Sequence, residues 1–377
     1  MSFEKSQLDD IYQLKEEEKF TEASQVPLRW FSPFDKEKIN IINLDNNNEH
    51  HFMRLSLKEL QEIKDLPNDL PLLAEFSAGI QMMFITNARI MKIRCENVRD
   101  FPMNNMAFVS RAGFDAYYKE KEEDEFKFTY STFAPQFNKD SKTKWEDFLY
   151  AFYQNKERII VINFPLYNGV KNVEIGVEDG CYIKPYFYQN KKRIVCYGTS
   201  ILEGASASRP GVCTTNYLSR NLKQEVLNYG FSGAARCEKE IANIIASRDN
   251  VEMYVLDVEA NAGYNNELVD RFEPLLQTIY KKHPDVPIIV MNRLRTNQDD
   301  EDFSYINRMK QFNDSYLKGI VDKYQGLGKK IYFVNNFSLF PDASFTIDGL
   351  HPTDYGFDVL NESYLSAIKR VKEDIDK

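Results

Sequence analysis

Two hydrophobic rhythms divide the chain. From Phe76 to Tyr188, apolar residues gather in short runs broken by polar turns. Gly79–Thr86 and Arg89–Cys95 are rich in Ile, Met and Phe, and their junction at Asn87-Ala88 predicts a hairpin. Met106–Ser110 and Phe114–Tyr118 read as further strands. Glu125–Tyr130 alternates as Phe126, Phe128 and Tyr130, after a charged hairpin tip at Lys119–Asp124. Arg158–Phe164 and Val173–Val177 close the set, separated by the turn Tyr167-Asn168-Gly169. Short strands with polar turns and little helix predict an all-β sandwich or jelly roll. Its aromatics read as core, with a sugar-stacking face as the alternative. Ahead of it, Met1–Leu66 is mixed. Trp30, Phe31 and Phe34 are expected to pack on the β domain, Ile39–Leu44 reads as a strand, and Asp45–His51 as a polar turn.

Beyond Gln189–Lys192 the rhythm alternates strand and helix. The expected strands are Arg193–Tyr197, Glu225–Tyr229, Met253–Val258, Pro287–Met291 and Lys330–Val334. The expected helices are Gly211–Leu222, Glu238–Ser247, Glu267–Lys282, Phe303–Tyr324 and Tyr355–Glu373. In Glu267–Lys282, the residues Leu268, Phe272, Leu275, Leu276 and Ile279 form one apolar stripe. Five βα units predict a five-stranded parallel sheet with helices on both faces and right-handed crossovers. The chain therefore divides into a β domain over residues 1–188 and an α/β domain over residues 189–377. Ligands of such a sheet bind at the carboxyl ends of its strands.

Candidate chemistry sits at one of those ends. In RIVCYGTSILEG, Ile194–Tyr197 makes a buried strand, Gly198 breaks it, and Ser200 follows in the turn. A serine just past a strand end is placed to act as a nucleophile. It needs an imidazole as base, and the imidazole needs a carboxylate to hold its tautomer. Near the C-terminus, TIDGLHP places Asp348 three residues before His351. The chain has four histidines. His50 and His51 lie in a polar run with no metal-binding neighbours, and His283 ends a helix. Only His351 has a carboxylate at short spacing in a loop bounded by Gly and Pro. An ordinary βα turn at Ser200 and a helix-capping histidine at 351 are the alternative readings.

With these residues in hand, the chain resembles the SGNH (GDSL-type) hydrolases. Tyr197-Gly198-Thr199-Ser200 matches the first block of that family, with Thr199 where many members have Asp. Asn228-Tyr229-Gly230-Phe231-Ser232-Gly233 matches the second, and Asn261 in LDVEAN stands for the third. Many members have Gly-x-Asn-Asp there; this chain has Glu259-Ala260-Asn261-Ala262. Asp348 to Pro352 matches the last block. Upstream, Arg111-Ala112-Gly113-Phe114-Asp115-Ala116-Tyr117 resembles the Gly-x-Asp-Leu-Tyr signature of a β domain found before some SGNH domains, with Ala116 for Leu. The resemblance implies a flavodoxin-like catalytic domain and a Ser200–His351–Asp348 triad. It also implies an oxyanion hole made by the backbone N–H groups of Ser200 and Gly233 and the side-chain amide of Asn261. Arg209 and Arg236, beside the first and second blocks, are expected either to anchor substrate or to tie down rim loops.

Composition narrows the partners. A net charge of −9 argues against nucleic acid or an anionic membrane and says nothing against a neutral sugar. No apolar run approaches the roughly 20 residues of a membrane span. The N-terminus lacks the basic and apolar regions of a signal peptide. Cys95, Cys181, Cys196, Cys213 and Cys237 are odd in number and lack paired spacing, which predicts free thiols and a cytoplasmic location. No metal cluster or phosphate loop is visible, so no cofactor is expected. The expected activity is hydrolysis of a short acyl ester, acetyl foremost, on a small molecule or oligosaccharide. A lysophospholipase or thioesterase, and a carbohydrate-binding protein with a decayed site, are the alternatives. A homo-oligomer is left open.

Overall fold

The computed structural model describes residues 25–44, 51–98, 101–132, 144–301 and 304–375. The expected polar turn at 45–51 lies outside these residues, except for His51. Among the described residues, the first half of the chain forms strands β1 (Leu28–Phe31), β2 (Asn40–Ile42), β3 (His51–Phe52), β4 (Gln81–Thr86), β5 (Ile90–Asn97), β6 (Asp115–Lys119), β7 (Lys127–Ser131), β8 (Lys144–Ala151), β9 (Arg158–Asn163), β10 (Val170–Glu178) and β11 (Ile183–Pro185). They build two antiparallel sheets. One runs β1-β10-β5-β8, with β3 also on β10; the other runs β11-β4-β9-β6-β7, with β2 also on β4.

The sheets share one core. Met82, Phe84, Ile160 and Ile162 from one meet Met91, Ile93, Val170 and Ile175 from the other. Phe52, Phe114 and Phe164 join them, with ring centroids 4.7 and 5.1 Å apart. Strand β9 is buried on both faces, because Val161 and Ile159 pack outward against Met83, Tyr186 and Tyr188. Phe31 and Phe34 pack against the inner core as expected.

Two sequence expectations are corrected. The runs 79–86 and 89–95 do not form a hairpin: β4 and β5 belong to different sheets. Both present Met and Ile or Phe to the same interior, so they face each other across the core instead of pairing edge to edge. Met106–Ser110 is not a strand; the helix Phe108–Ala112 stands there, ended at Gly113, whose N–H donates to the Val109 carbonyl. A short apolar run fits either period. The charged tip between β6 and β7 does close a hairpin.

The second half forms β12 (Arg193–Gly198), β13 (Glu225–Gly230), β14 (Val251–Asp257), β15 (Ile288–Met291) and β16 (Ile331–Val334), all parallel, in the order β13-β12-β14-β15-β16. This is the flavodoxin-like order, in which the direction of winding reverses between the first and third strands. The long helices Glu267–Lys282, Ser304–Gly326 and Asp354–Ile375 stand where the sequence predicts them, and the stripe Leu268, Phe272, Leu275, Leu276 and Ile279 of the first is buried. All five cysteines are unpaired and buried. Among the described residues, no helix is long and apolar enough to cross a membrane.

The Gly-x-Asp-x-Tyr stretch joins the two halves. A Cβ on Gly113 would fall 2.8 Å from the Thr132 hydroxyl, so only glycine passes there. Asp115 follows, and its buried carboxylate accepts from Asn163 (2.7 Å) within its own sheet and from the Gly211 N–H (2.8 Å) beyond it. The Tyr117 ring closes over Gly211 and lies 3.8 Å from the Arg220 guanidinium. The signature is thus a latch onto the segment that leads into helix Thr214–Leu222.

Candidate active site

The site is built at the carboxyl end of the parallel sheet. Ile194–Tyr197 are fully buried, and Gly198 ends the strand where a Cβ would meet the Asp257 carbonyl at 2.8 Å. That close approach brings the ends of β12 and β14 together. Ser200 then opens the short helix Ser200–Glu203 and is 7% exposed. The Phe231 N–H donates to the Gly198 carbonyl (3.0 Å), which ties the loop after β13 to the serine turn.

The partner loop comes from the far end of the chain. Residues 346–352 close on themselves through a bridge between Thr346 and Pro352, and the Ile347 N–H donates to the His351 carbonyl (2.8 Å). Gly349 has φ +85°, a left-handed turn that suits glycine, and its carbonyl accepts from the Asn297 N–H (2.8 Å). This loop turns His351 so that Nε2 lies 3.0 Å from Ser200 Oγ. On the other side of the ring, Nδ1 lies 2.7 Å from Asp348 Oδ2. The three residues singled out in the sequence therefore stand in line as hydroxyl, imidazole and carboxylate.

Asp348 is held ionised. Partial burial alone would raise its carboxyl, but the His351 N–H, the His351 ring and the Asn105 amide bring it down to about 2. The Leu350 N–H (3.1 Å) also donates to Oδ1. An ionised carboxylate here favours the tautomer with hydrogen on Nδ1, which leaves the Nε2 lone pair for the serine hydroxyl.

Gly233 and Asn261 reach the same rim by different means. Gly233 has φ +66°, and a Cβ built on it would meet nothing within 4 Å. Glycine suits this backbone conformation. Asn261 sits in the short helix Glu259–Ala262, and its amide nitrogen donates to the carbonyls of Phe231 (3.3 Å) and Ala234. The amide is thereby turned towards the loop that carries Gly233. In this arrangement Asn261 braces that loop.

The two arginines are engaged with protein groups, as in the loop-tying reading made from the sequence. Arg236 reaches Glu267 (2.8 Å) and donates to the Gly233 carbonyl (3.2 Å). Arg209 lies 3.7 Å from Asp115 and 4.0 Å from Asp354, with its guanidinium 4.3 Å over the Phe128 ring.

Two contributors were not read from the sequence. Arg54, just after β3, pairs with Glu203 (2.8 Å) and donates to the carbonyls of Gly230 and Leu73. Glu203 in turn accepts from the Ser232 N–H (2.8 Å). Burial pushes the Glu203 carboxyl up, to about 7, against the pull of Arg54. Asn105, in the segment before helix Phe108–Ala112, donates to Asp348 Oδ2 (2.8 Å). Neither carries a local motif; a lone Arg and a lone Asn acquire meaning only from tertiary contact.

Comparison with known proteins bears on the family and the fold. Residues 191–369 match the GDSL-like lipase/acylhydrolase family, and residues 28–183 match the N-terminus of SGNH-hydrolase-type esterases. The chain carries a GDSL-like lipase/acylhydrolase domain over residues 191–369. It is an ester-bond hydrolase carrying the Gly-x-Asp-Leu-Tyr-type N-terminal domain. A protein from Bacteroides ovatus assigned as a GDSL-like lipase is 27% identical over 92% of this chain and 98% of its own, with a TM-score of 0.79. A salicylyl-acyltransferase from a tetracycline biosynthetic pathway is 15% identical over 93% of this chain and 98% of its own, with a TM-score of 0.69. An acetyl xylan esterase from the rumen bacterium Butyrivibrio proteoclasticus is 9% identical over 91% of this chain and 98% of its own, with a TM-score of 0.55. The last two share the fold. Among curated proteins no sequence matches.

Proposed function

We propose that this GDSL-type hydrolase is a serine esterase that removes short acyl groups, acetyl foremost, from a carbohydrate. The observation that carries the reading is the line from Ser200 Oγ to His351 Nε2 (3.0 Å) and from His351 Nδ1 to Asp348 Oδ2 (2.7 Å). Ser200 Oγ attacks the ester carbonyl while its proton passes to His351 Nε2. The oxyanion that forms is met by the backbone N–H groups of Ser200 and Gly233. The tetrahedral intermediate collapses, the C–O bond to the sugar breaks, and His351 returns the proton to the leaving alcohol. Water then repeats the sequence on the acyl-enzyme, giving acetate and free Ser200.

The short acyl group is supported by the residues around the serine. Ala205, Ala207, Ala234 and Ala235, in the loops after the first and second blocks, are small and fully buried, so they offer an acyl tail no surface. A long acyl tail would need large apolar partners, at roughly 0.8 kcal/mol per buried methylene. The carbohydrate alcohol is supported by the shared fold with an acetyl xylan esterase. The test is hydrolysis of p-nitrophenyl acetate, butyrate and octanoate beside acetylated xylo-oligosaccharides. kcat/KM should fall from acetyl to octanoyl, and acetate should be released from the oligosaccharide. A rise with chain length overturns the acetylesterase reading in favour of a lipid or thioester substrate. Oligosaccharide binding without hydrolysis of any ester overturns the enzymatic reading.

A further inference from the structure

The Asp348 carboxylate is surrounded by four donors. Its Oδ1 accepts from the backbone N–H groups of Leu350 (3.1 Å) and His351 (2.8 Å). Its Oδ2 accepts from the His351 ring (2.7 Å) and from Asn105 Nδ2 (2.8 Å). A carboxylate offers about four lone-pair sites, so this set fills it. Three of the donors belong to the Asp348–His351 turn itself. The fourth crosses from the N-terminal half of the chain, 243 residues away.

The chemistry of that fourth donor matters. Asn105 Nδ2 also lies 3.2 Å from His351 Nδ1. An amide NH2 cannot accept from Nδ1, so its hydrogen bond is the one to the carboxylate, and the Nδ1 hydrogen is left to Asp348 Oδ2. Hydrogen on Nδ1 and a bare Nε2 is the tautomer that Ser200 requires. By donating to Oδ2, the same amide also spreads the carboxylate charge and moderates its pull on the ring.

The segment is positioned to do this. Phe101 stacks on Tyr167 and meets Phe76 edge-on, with centroids 6.1 and 5.5 Å away. Met106 is buried in the core on the other side of Asn105. Tyr167 itself donates to the Ser200 carbonyl (3.4 Å). Apolar anchors thus flank the amide on both sides, and Tyr167, on which Phe101 stacks, also touches the nucleophile's backbone. The next carboxylate along the chain is committed elsewhere. Asp354, at the start of the next helix, accepts from Ser208 (2.9 and 2.5 Å) and lies 4.0 Å from Arg209.

We propose that Asn105 is a positioning residue for the His351–Asp348 pair, through which the N-terminal domain completes the active site of the other domain.

This inference rests on the serine-esterase reading, so its test includes a measurement that needs no turnover. The full chain, labelled with 15N-histidine, is titrated by NMR as parent, Asn105→Ala and Asn105→Asp. An aspartate at 105 places a second negative charge beside the ring and a second acceptor beside Nδ1. The His351 ring should then protonate at higher pH by roughly one unit. The acid limb of kcat/KM for p-nitrophenyl acetate should move the same way. Asn105→Ala should lower kcat roughly tenfold with KM within about twofold, the scale of a slightly misplaced reacting group. Its thermal midpoint should stay near the parent's, since water replaces an amide that is only half-buried. Unchanged ring titration in Asn105→Asp, with kcat unchanged in Asn105→Ala, overturns the proposal. So does a loss of stability alone, with the pH profile unmoved. If Asn105→Asp fails to fold, the kcat-against-KM split in Asn105→Ala decides. Full activity in Ser200→Ala would instead sink the esterase reading and leave the ring titration standing.

Discussion

Arg54 Nη2 lies 2.8 Å from Glu203 Oε1, and both side chains are sealed from solvent. One residue comes from the N-terminal half, the other from the helix that begins with Ser200. Their contact lies behind the rim, so it supports the site without facing substrate.

Arg54→Met should therefore act on stability first. It strands a buried carboxylate and leaves the Gly230 and Leu73 carbonyls without a donor. Breaking such a pair from one side costs about 3–5 kcal/mol. The stranded Glu203 can protonate, so the loss should be smaller at pH 5 than at pH 8. Equal falls in thermal midpoint at the two pH values would contradict this account.

Ser200→Ala should cut kcat/KM by at least about four orders of magnitude, as removal of a nucleophile does. One buried hydroxyl contributes little packing, so the thermal midpoint should barely move. A fluorophosphonate probe should label the parent at Ser200 and leave the variant unlabelled, read by peptide mass spectrometry. Labelling at another residue, with activity retained, would remove Ser200 from the mechanism.

Asn261→Ala should behave as the loss of a brace. Its amide holds the Phe231 and Ala234 carbonyls, so removing it frees the loop that carries Gly233. The expected outcome is a lowered thermal midpoint and a fall in kcat of roughly tenfold. A dedicated oxyanion donor would instead cost about two to three orders of magnitude in kcat with stability intact. Paired melting and kinetic measurements separate the two.

The pH dependence of stability should have two opposed limbs. Asp257 accepts from the Tyr364 hydroxyl (2.5 Å), and burial, with Glu259 adding repulsion, pushes its carboxyl up to about 7. A folded-state value above the unfolded one stabilises fully below about pH 4, and that contribution is lost as pH rises towards 7. Glu203 acts in the same direction. Asp348, held at about 2, contributes above about pH 4 and loses its contribution as pH falls through 2. Asp257→Asn should flatten the decline in thermal midpoint between pH 4 and 7. An unaltered slope would show that Asp257 is not its source.

Much of this arrangement is legible in the sequence because it is local. The βα alternation after Lys192 depends on periodicity, and each predicted strand of the parallel sheet falls within two residues of its place. Ser200 was marked by a strand-ending glycine, and His351 by an aspartate three residues away. The errors arise where the decisive contact is distant. The runs 79–86 and 89–95 look like hairpin arms because nothing local tells pairing in a sheet from facing across a core. Asn261 follows the third strand as a donor would, yet the direction of its amide depends on a loop some 27 residues earlier. Arg54 and Asn105 carry no signal at all, since a single polar residue gains a role only from partners 149 and 243 residues away.

A methyl group at position 211 would sit 2.3 Å from the Tyr117 ring, while the Asp115 carboxylate holds the same residue's N–H. Tolerance this small leaves the two halves no room to hinge or slide, for any rotation drives Tyr117 into the backbone or pulls Asp115 off it. The spacing between Asn105 on one side and His351 on the other is therefore kept from one turnover to the next. The enzyme works as a fixed anvil, and its rate should respond weakly to solvent viscosity.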